Sequence, residues 1–219
     1  AIKKATAPFI ALLDADDFWD STYLEEQNRL ILKYPSEYIY ACNSKVQDRN
    51  HYTKLSYSVD IEEKEDLVVN FFEASTINSI MNSSTTVLRA DVLDTIGLYD
   101  PSIKSGQDTD FFIRIGLQYP IVFSPKILVT IVRNQESLSQ TTHSAKNKPT
   151  FEAYENLENS NKPLKKFLDL NRYSLAILAK LANEKEEFTA YYKEAYKDAL
   201  RQIMTRAEFE KFEDSGAIK

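Results

Sequence analysis

The segment Pro8–Asp20, which reads PFIALLDADDFWD, constrains the fold most, because a short apolar run leads directly into three carboxylates. The run Phe9–Leu13 is typical of a strand buried on both faces of a parallel sheet. Asp14, Asp16 and Asp17 follow it, and carboxylates that crowd the end of a buried strand repel one another. A bound Mg²⁺ or Mn²⁺ would remove this conflict, since both ions prefer carboxylate oxygens. The carboxyl end of such a strand is also where open α/β sheets bind ligands.

Three interpretations of this acidic turn are open. The simplest is that the carboxylates cap the next helix and line a solvated turn. In a phosphatase with an aspartate nucleophile, Asp14 would attack phosphate and Asp16 would handle the proton. In a sugar-nucleotide transferase, the pair would instead hold a metal ion on the diphosphate of the donor. The bulky residues Asp17, Phe18 and Trp19 follow the pair, where the phosphatases have a small residue, so the sequence favours the transferase over the phosphatase.

Strand-like and helix-like segments alternate as far as about residue 135, which predicts an α/β domain. The spacing predicts a helix after the acidic turn, started by a Thr22–Glu25 capping box, and another helix over residues 60–75. The stripe expected to face the core in the first of these helices comprises Leu24, Asn28, Ile31 and Leu32. From about residue 150 the sequence carries only helical stripes, which predicts a helical appendage.

Charge and cysteine content narrow the expected partners and location. The 219 residues carry a formal net charge of −6, whereas proteins that bind nucleic acid through their own side chains are usually basic. We therefore expect no nucleic acid partner. Cys42 is the single cysteine, which excludes an internal disulfide and fits the reducing cytosol. We expect a cytoplasmic protein, with peripheral association at the inner face of the plasma membrane as the further option.

Two segments carry a resemblance to a known family. FIALLDADDFWDSTYLEEQ looks like the Asp-x-Asp segment of family 2 glycosyltransferases, which have the GT-A fold. NSSTTVLRADVLDTIGLYDPSIKSGQDTDFFIRIGLQYPIVF resembles the acceptor-side segment of that family, and the two segments occur in the family's order. The resemblance covers roughly residues 5 to 140. It implies a partial GT-A domain of the nucleotide-diphospho-sugar transferase type over residues 1–145, with a mixed sheet and flanking helices, and a helical region over residues 146–219.

The resemblance also implies that the chain is N-terminally truncated. The family's opening strand and helix, which bind the nucleotide base, have no counterpart ahead of Asp14. We therefore expect the C-terminal part of a longer protein, in which the Asp-x-Asp strand exposes an unpaired edge. Such a chain alone should bind sugar nucleotide poorly, aggregate, and have little or no activity.

The roles of the carboxylates follow from the resemblance. Asp16 would ligate the metal directly, and Asp14 would contact the ribose of the donor or the water shell of the metal. Asp108, in GQDTD, matches the catalytic base of the family, although Asp108 or Asp110 could instead cap a helix. Gln107 stands where the family usually has Glu.

The same resemblance places Ser83, Ser84, Arg89 and Gln107 in the pocket for the sugar and the acceptor. Arg114 is expected to have a structural role. Gln135 occupies roughly the place of a family histidine that can join the metal site, and glutamine is a poor metal ligand. We assign no role to His51 or His143.

The sequence thus predicts an inverting, metal-dependent glycosyltransferase of the hexosyltransferase type. It would use Mg²⁺ or Mn²⁺ to move a sugar from a nucleotide-sugar donor to a saccharide or lipid-linked acceptor, in the synthesis of a bacterial surface polysaccharide. The alternatives are the aspartate-nucleophile phosphatase and a non-catalytic fragment that keeps the fold.

Overall fold

A computed structural model describes residues 2–61, 65–133 and 144–195. The chain divides into two compact units, of which the first comprises Ala1–Pro101 with Gln107–Ser137, and the second Ser102–Gly106 with Leu138–Lys219. The predicted domain boundary after residue 145 stays a prediction. No helix in the described ranges is both long and apolar enough to cross a membrane.

The described part of the first unit contains one mixed sheet of seven strands. The strands are β1 (Phe9–Ala11), β2 (Phe18–Trp19), β3 (Ile39–Asp48), β4 (His51–Lys54), β5 (Leu67–Val69), β6 (Thr86–Arg89) and β7 (Ile121–Arg133). Their order is β1–β6–β3–β7–β2, with β4 paired to β3 and β5 paired to β7. Only β3 and β7 run parallel among these pairs. The predicted α/β class with a mixed sheet and flanking helices is confirmed.

Strand β1 differs from the sequence-based prediction. It pairs only with β6 in the described sheet, in the antiparallel sense, with Phe9 opposite Arg89 and Ala11 opposite Val87. Phe9 and Ile10 are half-buried and Ala11 is exposed. The prediction of a strand buried on both faces in a parallel sheet was therefore wrong.

The helix after the acidic turn is α1 (Tyr23–Lys33), but its buried face is not the predicted stripe. The side chains of Leu24 and Leu32 are 60% and 73% exposed. The buried residues of the helix are Tyr23, Glu26, Gln27 and Leu30. The hydrophobic pattern did not indicate this face, because the charged residue Glu26 is part of it. Arg29 at 2.7 Å and Lys126 at 2.6 Å neutralise the charge of the Glu26 carboxylate.

The start of α1 also differs from the predicted capping box. The hydroxyl of Thr22 makes no capping hydrogen bond to the helix. It donates instead to the Asp20 carboxylate at 2.7 Å, and the Thr22 backbone N–H donates to the same oxygen at 2.9 Å. Asp20 therefore fixes the chain where it leaves β2.

The helix predicted over residues 60–75 is much shorter. Its central apolar residues form β5, which pairs with β7, and only Phe71–Ala74 are helical, as α2. Asn70 caps α2 by accepting from two backbone N–H groups, at 2.9 and 3.2 Å. Pairing with the sheet outweighed the helical spacing here. Residues 62–64 of the predicted helix lie outside the described residues.

Two further helices carry the rest of the first unit. Helix α3 (Val92–Ile96) ends at Gly97, whose φ of 74° is in the left-handed region that glycine adopts without strain. Helix α4 (Gln107–Gly116) buries the side chains of Phe111, Phe112, Ile113 and Ile115. The core of the unit lies between these helices, α1 and the central strands.

The described part of the second unit is helical, which confirms the C-terminal helical part of the predicted fold. It contains α5 (Glu155–Glu158), α6 (Lys162–Leu181) and α7 (Lys185–Glu194). Arg172 on α6 is 3% exposed and binds Glu158 at 2.5 Å and the fully buried Asp169 at 3.1 Å. This ionic cluster joins α5 to α6.

Candidate functional site

The acidic residues after β1 form a tight turn that Ser84 holds in place. The Asp17 N–H donates to the Asp14 carbonyl at 3.2 Å, which closes the turn. Ser84 is fully buried, and its hydroxyl accepts from the Asp14 N–H at 3.1 Å and donates to Asp17 Oδ2 at 2.5 Å. The indole N–H of Trp19 donates to the Ser84 carbonyl at 2.7 Å. Ser84 therefore anchors both ends of the turn.

Asp17 belongs to the framework of the turn. Its second oxygen, Oδ1, accepts from the Val132 N–H on β7 at 2.9 Å. Loss of hydration raises the pKa of Asp17, and the hydrogen bonds from Ser84 and Val132 oppose that shift. The sequence suggested at most a helix-start role for this residue, because its partners lie far away along the chain. A carboxylate with both oxygens bonded to protein groups leaves little capacity for a ligand.

The other two carboxylates, Asp14 and Asp16, are exposed. The pKa of Asp14 is raised, first by loss of hydration and then by the negative charges of Asp17, Asp108 and Asp16. Asp108, although distant in sequence, therefore lies within electrostatic reach of Asp14. The hydrogen bonds of Ser84 with Asp14 and Asp17 also join the two segments, so Asp108 and the acidic turn stay candidates for one site.

Asp108 lies in the first turn of α4, where its carboxylate accepts from the Thr109 N–H at 2.9 Å. Asp110 in the same turn forms an ion pair with Arg114 at 2.8 Å. Arg114 also donates to the carbonyl groups of Ile96 and Leu98, so it holds the segment after α3 against α4. Both Asp110 and Arg114 have structural partners, whereas Asp108 borders the acidic turn.

The predicted pocket residues fall in different places. Ser83 begins a short 3-10 turn beside Ser84, and half-buried Gln107 begins α4 next to Asp108. Ser84 is fully buried with its hydroxyl engaged twice, so the structure gives it a positioning role. Arg89 pairs with Phe9, at the end of β1 that lies away from Asp14, and its assignment to the pocket stays a prediction.

Arg89 has partners of its own at that end of the sheet. Its guanidinium binds Asp91 at 2.6 Å and lies over the ring of Tyr38, 4.3 Å from the centroid. These contacts explain the arginine without a ligand.

Asp14 and Asp16 fit a metal ion only as part of its coordination shell. Within the described ranges, no three side chains of His, Cys, Asp or Glu come together as a group that could hold a metal. Two exposed carboxylates suit a hard cation that completes its shell with water and phosphate oxygens, which is the usual arrangement of Mg²⁺. The uncompensated charge on Asp14 fits the same arrangement, because a cation would relieve it.

The remaining sequence candidates contribute nothing further to the described site. His51 is an exposed residue of β4, and Arg133 is the exposed last residue of β7. Gln135 and His143 lie outside the described residues.

Comparison with known proteins gives a similarity in fold. No protein-family model and no curated protein matches the chain. A crystal structure of S. aureus TarS is similar with a TM-score of 0.58 and 16% identity, and the match covers 98% of this chain. A crystal structure of S. aureus TarS 1-349 has a TM-score of 0.47 and 14% identity, over 94% of this chain and 70% of that one. The chain spans 39% of the length of the first of these structures. The first similarity shows that this chain and part of TarS share a fold.

Proposed function

We propose that this chain is the catalytic part of an inverting, metal-dependent glycosyltransferase that acts in cell-wall or other surface polysaccharide synthesis. The similarity in fold to S. aureus TarS and the two sequence motifs support the proposal. One observation carries the proposal. Ser84 of the acceptor-side segment accepts a hydrogen bond from the Asp14 N–H at 3.1 Å, and the negative charge of Asp108 at the start of α4 acts on Asp14. A transferase needs a donor-side carboxylate and an acceptor-side base at one place.

The residues of the site have distinct roles in this reaction. Asp108 takes the proton of an acceptor hydroxyl. The oxygen of that hydroxyl bonds to the anomeric carbon of the sugar, and the bond from that carbon to the diphosphate breaks. A positioned base of this kind contributes roughly 10²–10⁴-fold in rate. The acceptor is a saccharide or a lipid-linked saccharide, and the donor is a hexose-type nucleotide sugar.

Asp14 and Asp16 would hold the Mg²⁺ or Mn²⁺ ion on the donor side. When bound, the ion offsets the negative charge that develops on the departing nucleoside diphosphate. The protein supplies the rigid turn for this purpose, because Ser84 and Asp17 fix its backbone. We further propose a cytoplasmic location at the inner face of the plasma membrane, where nucleotide sugars and lipid-linked acceptors meet.

The test is release of a nucleoside diphosphate from a panel of nucleotide sugars by the full-length protein, with Mn²⁺ and with a chelator. We expect release that requires the cation, and a loss of about 10²-fold or more in Asp108→Asn. The matched control is Asp110→Asn, which changes a neighbouring carboxylate that pairs with Arg114. Unchanged transfer by Asp108→Asn would remove the proposed base. Hydrolysis of simple phosphate esters without nucleotide release would point to the phosphatase instead.

Binding of the metal ion can be measured without an activity assay. Trp19 is the only tryptophan of the chain and lies two residues beyond Asp17. We expect Mn²⁺ to quench its fluorescence in the wild type, and much less in a variant with both Asp14→Asn and Asp16→Asn. Equal quenching in the two proteins would contradict the proposed ligands.

A further inference from the structure

One face of the sheet leads away from the acidic turn across four strands. Phe18 on β2 is paired with Thr130 on β7. Thr130 is also paired with Lys45 on β3, and Lys45 is paired with Lys54 on β4. Directly paired residues of neighbouring strands lie on the same face of a sheet, so these residues form one row, about 14 Å long at about 4.8 Å per strand. The row begins one residue beyond Asp17.

The row lies on the face of the sheet that points away from the core. Trp19 and Ile131, the next residues along β2 and β7, pack against the core cluster to which α1 contributes. Side chains alternate between the two faces of a strand, so Phe18 and Thr130 point away from that core. Phe18 is accordingly 64% exposed.

A second aromatic ring lies at the far end of the row. Tyr52 is on β4, two residues before Lys54, and is 60% exposed. The ammonium group of Lys45 lies 4.8 Å from the centroid of the Tyr52 ring, so both side chains are on one face. This cation–π contact keeps the charge of Lys45 at a fixed place on the surface.

We call this surface the sheet strip, and it consists of the residues Phe18, Thr130, Lys45, Gln47, Tyr52 and Lys54. The strip contains two lysines and two exposed aromatic rings, and none of its residues is acidic. Thr130, Lys45 and Gln47 in its middle are half-buried, whereas the aromatic residues at its ends are exposed. A surface that is lower in its middle fits an extended chain better than the broad plane of a membrane.

Two kinds of contact are available on the sheet strip. An exposed aromatic ring packs against the apolar face of a sugar ring, and a lysine ammonium pairs with a phosphate or carboxylate group. We propose that the sheet strip binds the acceptor as an extended glycan chain that carries such anionic groups. The proposal rests on the proposed function, because the acidic turn beside Phe18 is the place of transfer there. The modified sugar lies at the Phe18 end, and anionic groups further along the chain pair with Lys45 and Lys54.

Binding of soluble acidic glycans to the full-length protein tests the charges of the sheet strip. The probes are polygalacturonate, which carries carboxylates, and phosphomannan, which carries phosphates, measured by calorimetry at low and high salt. We expect at least one of them to bind, with an affinity that falls as salt screens the lysines. A variant with both Lys45→Glu and Lys54→Glu should bind it about 10-fold more weakly. The glycan that binds identifies the anionic group.

A variant with both Lys3→Glu and Lys4→Glu is the matched control. It changes the net charge equally, at exposed residues of the same unit that lie outside the sheet strip. We expect its affinity to stay within about twofold of wild type. An equal loss in both double variants, or no binding of either glycan, would overturn the proposal. If Lys45→Glu with Lys54→Glu abolished binding to phosphatidylglycerol vesicles but not to either glycan, the strip would bind a membrane, which also overturns the proposal.

Phe18→Ala tests the contact with a sugar ring. Polyphosphate is anionic but has no sugar ring, so Phe18→Ala should leave its affinity unchanged and weaken binding of the acidic glycan about fivefold. Leu32→Ala is the control, since Leu32 is a 73% exposed apolar residue on α1. If the glycan binds both variants equally well, no sugar packs on Phe18 and the proposal fails. Absence of nucleotide release by the wild type would refute the proposed function, and these binding measurements would still decide whether the sheet strip binds an acidic glycan.

Discussion

Removing the hydroxyl of Ser84 is the sharpest perturbation of the acidic turn. In Ser84→Ala, Asp17 loses a hydrogen bond of 2.5 Å to its carboxylate, and the Asp14 N–H loses an acceptor at 3.1 Å. Because Ser84 is fully buried, alanine creates almost no steric change beyond one missing oxygen atom. The variant therefore tests the polar contacts alone.

The expected cost follows from the two bonds. A hydrogen bond to a charged group contributes about 1.5–3 kcal/mol, and one between neutral groups about 1 kcal/mol. Asp17 is only half-buried, so water can replace part of the lost contact, and its Val132 bond remains. We therefore expect the free energy of unfolding to fall by about 2 kcal/mol, roughly a 30-fold change in the unfolding equilibrium constant.

Urea denaturation followed by tryptophan fluorescence measures this loss. The only tryptophan, Trp19, donates to the Ser84 carbonyl at 2.7 Å, so its emission reports on the turn itself. Donor-dependent activity should fall as well, because Asp14 is no longer held through its backbone.

Ser36→Ala provides the control, since Ser36 is exposed on the same unit. We expect the control to change stability by less than about 0.5 kcal/mol. If Ser84→Ala is as stable as this control, the Ser84 hydroxyl does not hold the turn, and the account of the site given above is wrong.

Two other variants test the packing around the sheet. Glu26 has a pKa of about 2, below its ordinary 4.5, chiefly because Arg29 binds it. The ionised carboxylate therefore stabilises the fold above about pH 4.5, and this stabilisation is lost as the pH falls toward 2. Urea titrations should show wild type losing about 3 kcal/mol more than Glu26→Gln over this range, and parallel losses would contradict the ion pairing. A Cβ at Gly116 would lie 2.7 Å from Phe71, so Gly116→Ala should cost about 1–3 kcal/mol in the same assay, despite the better helix propensity of alanine. A gain in stability would contradict this expectation and would mean that Phe71 in α2 moves aside at little cost.

The sequence predicted those elements whose signals are local. Helix α4 begins in the GQDTD segment, where the sequence allowed for a helix start. Predictions failed where distant partners decide the structure. Residues 67–69 have helical spacing, but they pair with β7. The inner face of helix α1 contains Glu26, whose partner Lys126 also lies in β7.

The candidate site shows the same division. The acidic turn and Asp108 were identifiable from motifs, because the residue types themselves carry the chemistry. Ser84 and Asp17 act through contacts with residues far along the chain, so their positioning roles were not apparent from the sequence. Arg89 belongs to the segment that the resemblance assigns to the pocket, but it lies at the end of β6 that is away from the acidic turn.

The electrostatics of the first unit distinguish carboxylates that stabilise the fold from those that do not. Glu26 is buried and the side chain of Asp66 is 6% exposed. The hydrogen bonds from Arg29 lower the pKa of Glu26, and for Asp66 the raising effect of burial is outweighed by Arg29 and Lys33. Asp14 has the reverse balance, because each neighbouring charge that acts on it is negative and its pKa is raised. Ionising Asp14 at neutral pH therefore costs folding free energy, whereas ionising Glu26 stabilises the fold. Buried hydrogen bonds hold this turn in place, while the carboxylates at its surface repel one another. Such an arrangement is expected where a bound cation supplies the missing positive charge.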